Sequence, residues 1–195
     1  MMTCLLLSAL LAPVLVAEQW RIDPNHSAAQ FAVRHMMIST VRGDFGRMSG
    51  TVDWDPAAPE NAKVVAEVDV ASINTRNAKR DDDLRGERFF DAAEYPTMKF
   101  ESTKIERTGD GLKMTGNLTI HGVTREVVFA VDGPATPVAT RRGPRSGATA
   151  TTKISRKDFG MVWNRALEAG GFTVGDEVTI TIDIEMAPGG RRRSQ

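Results

Sequence analysis

Leu112-Lys113-Met114-Thr115-Gly116-Asn117-Leu118-Thr119-Ile120-His121-Gly122-Val123-Thr124-Arg125-Glu126-Val127-Val128-Phe129-Ala130-Val131-Asp132 is the stretch on which the fold turns. Leu112, Met114, Gly116, Leu118 and Ile120 share one parity, and Lys113, Thr115, Asn117 and Thr119 the other. That is the period of two of a strand with one buried face. After His121-Gly122 the alternation resumes, with Val127, Phe129 and Val131 on one side and Glu126 and Val128 on the other. Upstream, Thr97 to Glu106 carries Met98 and Phe100 and ends at Thr108-Gly109-Asp110-Gly111, a hairpin turn signal. Successive strands joined by tight turns read as an antiparallel meander.

The same pattern extends outward in both directions. Trp20 to His35 carries Phe31 and Val33 with polar residues between them. Val41 to Trp54 places Gly46, Met48, Gly50, Val52 and Trp54 against Arg47, Ser49, Thr51 and Asp53, before Asp55-Pro56 and Pro59 break the chain. Ala62 to Ile73 sets Val64, Ala66, Val68 and Val70 against Glu67 and Asp69. Beyond a Pro/Gly/Arg-rich loop over 133–147, Ala148 to Arg156 and Glu177 to Met186 supply two more strands, the last with Val178, Ile180, Ile182 and Ile184 on one face. Two stretches lack the alternation. Thr75 to Ala93 reads as one or two short helices, begun by a Thr75 or Asn77 cap and stopped before Pro96, with i,i+4 ion pairs such as Asp81 to Arg85 on a solvated face. Trp163 to Ala169 reads as a short helical turn ended by Gly170-Gly171. The predicted fold is therefore all-β, an eight-stranded antiparallel barrel with one or two short helices. Such a barrel is just wide enough to be filled by side chains or to hold one small ligand, and its length is on the order of 25 Å.

The 195 residues suit one domain with a sizeable core. Lys plus Arg and Asp plus Glu are 25 each, so the formal net charge is zero and no cationic surface for nucleic acid is expected. The single cysteine, Cys4, excludes a disulfide framework and a Cys-based metal site. Residues 1–17 carry no charge, are almost wholly apolar from Leu5 to Val16, and give way at once to Glu18-Gln19-Trp20-Arg21, which reads as a secretory signal peptide. Cys4 precedes the apolar run, so lipidation is not expected, and cleavage near Ala17 leaves a thiol-free protein suited to an oxidising periplasm. The barrel domain then occupies 18–187, and the basic tail 188–195, with Arg191-Arg192-Arg193, is expected to be disordered.

Several strings in order resemble the YceI-like family of secreted bacterial proteins. They are Trp20-Arg21-Ile22-Asp23-Pro24-Asn25-His26-Ser27, Val41-Arg42-Gly43-Asp44-Phe45, Leu84-Arg85-Gly86-Glu87-Arg88-Phe89-Phe90-Asp91 with Tyr95-Pro96, Phe100-Glu101-Ser102-Thr103, Gly116 to Thr124, and Ser155-Arg156-Lys157-Asp158-Phe159-Gly160. The resemblance spans roughly residues 20 to 186 and implies a lipocalin-like barrel that binds a long isoprenoid or related lipid in its lumen, without enzymatic activity. One position departs: the family often carries His before the Leu-Arg pair, and here Asp83 precedes Leu84. If that position touches a polar head, a different head group is implied.

The candidate lipid-binding wall is the inward parity of the strands. It comprises Phe31, Val33, Met48, Val52 and Trp54, then Val68, Val70, Met98 and Phe100, and finally Met114, Leu118, Ile120, Phe129, Val131, Ile180 and Ile182. Thioethers and aromatic rings suit a cavity that accepts a flexible chain, and Gly46, Gly50 and Gly116 are expected to leave space on the same face. Arg80 and Arg85 are candidate rim residues for a phosphate or quinone oxygen, with Phe89 and Phe90 as an apolar collar. No catalytic residue, cofactor or metal site is expected. His26, His35 and His121 lack ligand spacing, and His26 and Ser27 are adjacent on a strand and face opposite ways. The expected function is a periplasmic carrier of a long-chain polyisoprenoid or isoprenoid quinone-like lipid. The alternative is a filled barrel that acts in stress response through its surface on a membrane redox partner. Arg141, Arg142 and Arg145 with the basic tail offer transient contact with an anionic membrane surface. A homodimer through barrel edges or the helical segment is compatible with the sequence, though no residue demands it.

Overall fold

The structure, a computed structural model, describes residues 18–109, 111–168 and 170–189. The predicted signal peptide and the Arg191–Arg193 tail lie outside the described residues. β1 (Glu18–Ile22) and β2 (Ala28–His35) form one long strand interrupted by the turn at 23–27. β3 (Ser39–Phe45) with β4 (Met48–Trp54), and β5 (Lys63–Asp69) with β6 (Ile73–Asn74), form the second and third. β7 (Thr97–Thr108), β8 (Gly111–Ile120) and β9 (Val123–Asp132) follow. A short arm, β10 (Val138–Thr140), pairs with the start of β11 (Gly143–Ser155), and β12 (Val174–Pro188) is last.

Each long strand pairs antiparallel with the next, and β12 closes the ring. One edge of β12 takes β11, from Ser146↔Met186 to Ser155↔Glu177. Its other edge takes β1 (Ile22↔Met186) and β2 (Phe31↔Ile180, Val33↔Val178). The result is a closed eight-stranded antiparallel barrel of the lipocalin-like kind, as the sequence predicts. Antiparallel order puts the 36–38 turn, residues 75–96, the His121-Gly122 turn and residues 156–173 at one end. The 55–62 and 133–142 loops stand at the other.

Four predicted elements differ. The 75–93 segment forms one helix, α1 (Ala78–Arg85), with the Asn77 side chain accepting from the Arg80 N–H at 3.0 Å. Residues 86–95 then run as turns, tied by Phe90 N–H to Leu84 O (3.0 Å) and Ala92 N–H to Arg85 O (2.8 Å). Nor is the face of α1 simply solvated: Asp81 is buried and accepts from the Thr75 N–H (2.8 Å) and hydroxyl, so Arg85 pairs with Asp82 instead (2.9 Å). No helix forms among the described residues of 163–169. An isolated bridge, Ala166↔Phe172, stands there, with Arg156 donating to Trp163 O and the Asn164 side chain tied to both backbone groups of Val174. Finally, β11 starts at Gly143, inside the predicted loop, and β12 extends to Pro188, with Gly189 N–H donating to Gln19 O at 2.7 Å.

The β8–β9 turn is built from two left-handed residues, His121 (φ 50) and Gly122 (φ 71), the conformation that matches strand twist in a two-residue hairpin. Tyr95 packs over it, edge to His121 at 4.9 Å, and a Cβ on Gly122 would lie 2.5 Å from Tyr95 Cε1. Gly122→Ala is therefore expected to destabilise the fold by about 2–4 kcal/mol, combining left-handed cost and overpacking. A urea unfolding midpoint measures it; an unchanged midpoint contradicts the account.

Candidate functional site

The barrel is hollow. Its lumen is a cavity of about 240 Å³ whose wall is almost wholly apolar. Inward residues such as Val64, Ala66, Val68, Ile180 and Ile182 are only partly buried although they point into the ring, because they face this cavity rather than one another. The lumen runs from Pro59, Ala62 and Pro134 at one end to Phe89, Met161 and Val174 at the other.

Of the predicted wall, Phe31, Val33, Met48, Val52, Trp54, Val68, Met98, Phe100, Met114, Leu118, Ile120, Phe129, Val131, Ile180 and Ile182 all line the cavity. Val70 does not. β5 ends at Asp69, whose carboxylate accepts from Ala71 N–H at 2.9 Å and opens a 3-10 turn, so the alternation stops and Val70 is buried outside the cavity lining. The same physics explains a residue the alternation misses. A bulge in β7 between Ser102 and Lys104 switches the inward parity from Met98 and Phe100 to Ile105, which lines the lumen. The turn at 23–27 does likewise between Ile22 and Ala29. Leu84 and Met161 come from non-strand segments, for which strand alternation has no signal.

Phe100 and Phe129 meet edge to face at 5.3 Å, and Phe31, Phe45 and Phe90 form a chain with spacings of 5.8 and 5.6 Å. The glycines expected to leave room do not all leave it to a ligand. A Cβ on Gly116 would lie 2.4 Å from Phe100 Cζ, and one on Gly50 would lie 2.3 Å from Val65 O. The space is already taken by a ring and a neighbouring strand. Gly43 likewise admits the Phe31 ring, at 2.6 Å.

At the helical end, Phe89 and Phe90 line the cavity, and Arg80 and Arg85 do not. Both guanidiniums are already engaged, largely on backbone carbonyls. Arg80 donates to Thr75 Oγ1 (2.7 Å) and O (2.8 Å), and Arg85 to Ala71 O and Ile73 O (3.0 Å each). Asp83, at the position of the departure, pairs with Arg88 at 3.1 Å and does not line the lumen. Arg88 also lies over Trp163 (5.3 Å), which packs on Phe89 (5.3 Å).

Gln30, Lys99 and Arg156 are the lining residues with charged or amide side chains, and each is engaged elsewhere, whereas the buried Trp54 indole N–H has no hydrogen-bond partner among the described residues. Gln30 donates to Asp183 (3.3 Å) and Lys99 pairs with Glu67 (2.9 Å). Arg156 is buried and donates to Gly175 O (2.9 Å), Met161 O, Trp163 O (2.9 Å) and Asp176 Oδ1 (3.0 Å). Burial pushes its pKa down, against the pull of Asp176. Asp176 in turn is held below the usual carboxylate range, first by Lys157 and then by Arg156. Among the described lining residues there is thus no free nucleophile or acid–base pair, and the site can bind by exclusion of water and by shape.

Asp23, His26 and Glu185 come within reach of a shared ion on the outer side of the turn. His26 Nδ1 lies 3.1 Å from Asp23 Oδ2, and Arg145 already neutralises Glu185 at 3.3 Å. Asn25 N–H and His26 lower the Asp23 pKa. Ser27 bonds the Glu185 backbone, away from His26.

The sequence profile of the YceI-like domain matches residues 20–186, nearly all of the barrel just described. The chain belongs to the YceI-like family. A UPF0312 protein of Vibrio cholerae serotype O1 (strain M66-2) is 35% identical over 148 residues, covering 74% of this chain and 78% of that protein. Among solved structures, BcnA of Burkholderia cenocepacia superposes with a TM-score of 0.72 at 26% identity, covering 84% of this chain and 98% of BcnA. A polyisoprenoid binding domain from Saccharophagus degradans, implicated in plant cell wall breakdown, gives 0.62 at 15% identity over 89% and 99%, a likeness of fold. In this YceI-like chain the Ser155-Arg156 string turns out to be structural: Arg156 pins the 160–173 segment to β12.

Arg156→Met is expected to cost about 3–5 kcal/mol, because it leaves the carbonyls of Met161, Trp163 and Gly175 without their donor, while Asp176 keeps Lys157. Hydrogen exchange should rise first at 161–175. The Asp176 share of this anchoring is present above its unperturbed pKa of 3.8 and is lost as pH falls through the lowered folded value, so the segment should stay protected at mildly acid pH.

Proposed function

We propose that this YceI-like protein is a periplasmic carrier that holds a long-chain polyisoprenoid, or an isoprenoid quinone-like lipid, in its lumen. The observation that carries the reading is the hollow, almost wholly apolar cavity, on whose described lining both charged side chains, Lys99 and Arg156, are paired. The structural likeness to a polyisoprenoid binding domain and the signal-like segment 1–17 support the ligand class and the compartment. Burying one five-carbon isoprene unit releases about 4 kcal/mol relative to water. A lipid that starts in a bilayer has already gained this, so transfer from membrane to lumen is close to neutral in apolar terms. Selectivity then rests on the shape of the tube, and exchange stays reversible. The filled-barrel alternative loses its premise in a lumen that is open space. The reading assigns no chemical step to the protein.

The test is native mass spectrometry of the protein purified from its own cell envelope, followed by solvent extraction. A prenyl-lipid adduct is expected, and Val68→Phe, which fills cavity space from a partly exposed wall position, should lower its occupancy by about tenfold while leaving the unfolding midpoint near wild type. A protein that stays free of lipid after incubation with prenols and quinones overturns the carrier reading.

A further inference from the structure

Eight large apolar side chains are exposed among the described residues, and five of them gather at one end of the barrel: Met36, Met37, Ile38, Val162 and Phe172. Ile38 is 78% exposed, Val162 65%, Met37 60% and Phe172 53%. They are neighbours across two segments. Met36 N–H donates to Thr173 O at 2.8 Å, and a Cβ on Gly171 would lie 3.5 Å from Met37 Cγ. The patch therefore joins the β2–β3 turn to the 160–173 segment that Arg156 anchors.

The backbone of the turn makes its sequence unusual. Met36 (φ 51) and Met37 (φ 63) both sit in the left-handed region, at the two central positions of the turn that Ile38 N–H closes on His35 O, where Asn and Gly are favoured. A bulky L-residue adopts it at a cost, and here two successive methionines do so with their side chains in solvent. Folding alone favours neither the residues nor their exposure.

The charges around the patch select the partner. Arg34 and Arg42 stand on the outer face of β2 and β3, Arg76 follows β6, and Arg165 lies in the 160–173 segment. All four are exposed, and none has a carboxylate within ion-pair distance among the described residues. Arg34 spends donors on Thr40 Oγ1 and on Met37 O, which fixes the tip without neutralising the cation. An apolar tip with unpaired guanidiniums on the strands and segments that flank it is complementary to the surface of an anionic bilayer, with the tip among the acyl chains and the arginines at the phosphates. We propose that this end, built on Met36, Met37, Ile38 and Phe172, is the face by which the protein docks on an anionic lipid surface. It is the end at which Val33 and Val174, beside the tip, line the lumen, so docking there brings the tube to the membrane. The purpose of docking rests on the carrier reading; the docking itself does not.

The test is co-sedimentation of the full protein with vesicles of phosphatidylcholine alone or mixed with phosphatidylglycerol. Binding to the mixed vesicles is expected, weakened by salt and by Arg34→Gln with Arg42→Gln. The triple variant Met36→Asn, Met37→Gly, Ile38→Ser gives the turn the residues its backbone favours. It should unfold no earlier than wild type yet bind mixed vesicles at least about tenfold more weakly. Failure of the wild type to bind them, undiminished binding by the triple variant, or loss in that variant of a concentration-dependent dimer without loss of vesicle binding would each overturn the proposal. Lipid loading measured separately, from detergent solution, separates the two readings. Loading without vesicle binding sinks the docking face alone, and vesicle binding without loading sinks the carrier alone.

Discussion

Closure of the ring along β12 is the constraint on which the rest of the molecule depends. This last strand pairs along one whole edge with β11 and along the other with β1 and β2, so the first and last strands of the chain share their hydrogen bonds. Without that seam the sheet has two long open edges and no enclosed face. With it, every register in the barrel is set relative to every other, and a slip of one residue turns a whole inward face to solvent. The inward positions of eight strands then have to point at one another across a fixed diameter.

That diameter is not filled. Ala29, Ala66, Ala148 and Ala150 stand on the wall where larger residues would meet in the middle, and the aromatic rings lie against the wall in pockets left by Gly43 and Gly116. The charged and amide side chains that touch the lumen are drawn outward, Gln30 to Asp183, Lys99 to Glu67 and Arg156 to its carbonyls. Desolvated polar groups would need partners in a ligand. Their removal from the lumen makes it a site for a hydrocarbon chain.

The two ends of the barrel are treated differently. One end carries α1, the Asp81–Thr75 contact and the Arg156 clamp, all buried polar interactions that hold irregular backbone in place where no sheet can. The same end bears the Met36–Met37 turn, so its rigid base supports an exposed apolar tip. Arginines that resemble head-group ligands in sequence serve here as backbone braces. Arg80 and Arg85 hold the chain between β5 and α1, and Arg85 does so through two carbonyls.

The sequence by itself determined the all-β class, the eight strands and the wall of the lumen, because alternation is a local property of extended backbone and needs no knowledge of partners. Leu112 to Asp132 shows this most clearly, with its inward residues in place over two strands and one turn. Tertiary structure decided everything that local period does not carry. A bulge in β7 hands the inward parity to Ile105, a 3-10 turn at Asp69 removes Val70, and the turn at 23–27 shifts parity between Ile22 and Ala29. Charged residues were legible as charged but not as to their partners. Whether Arg85 meets Asp81, a ligand or a carbonyl depends on which segment folds against it, and Asp81 was claimed by Thr75. That the barrel is hollow is likewise a property of diameter and opposing residue volumes, which only the closed ring defines.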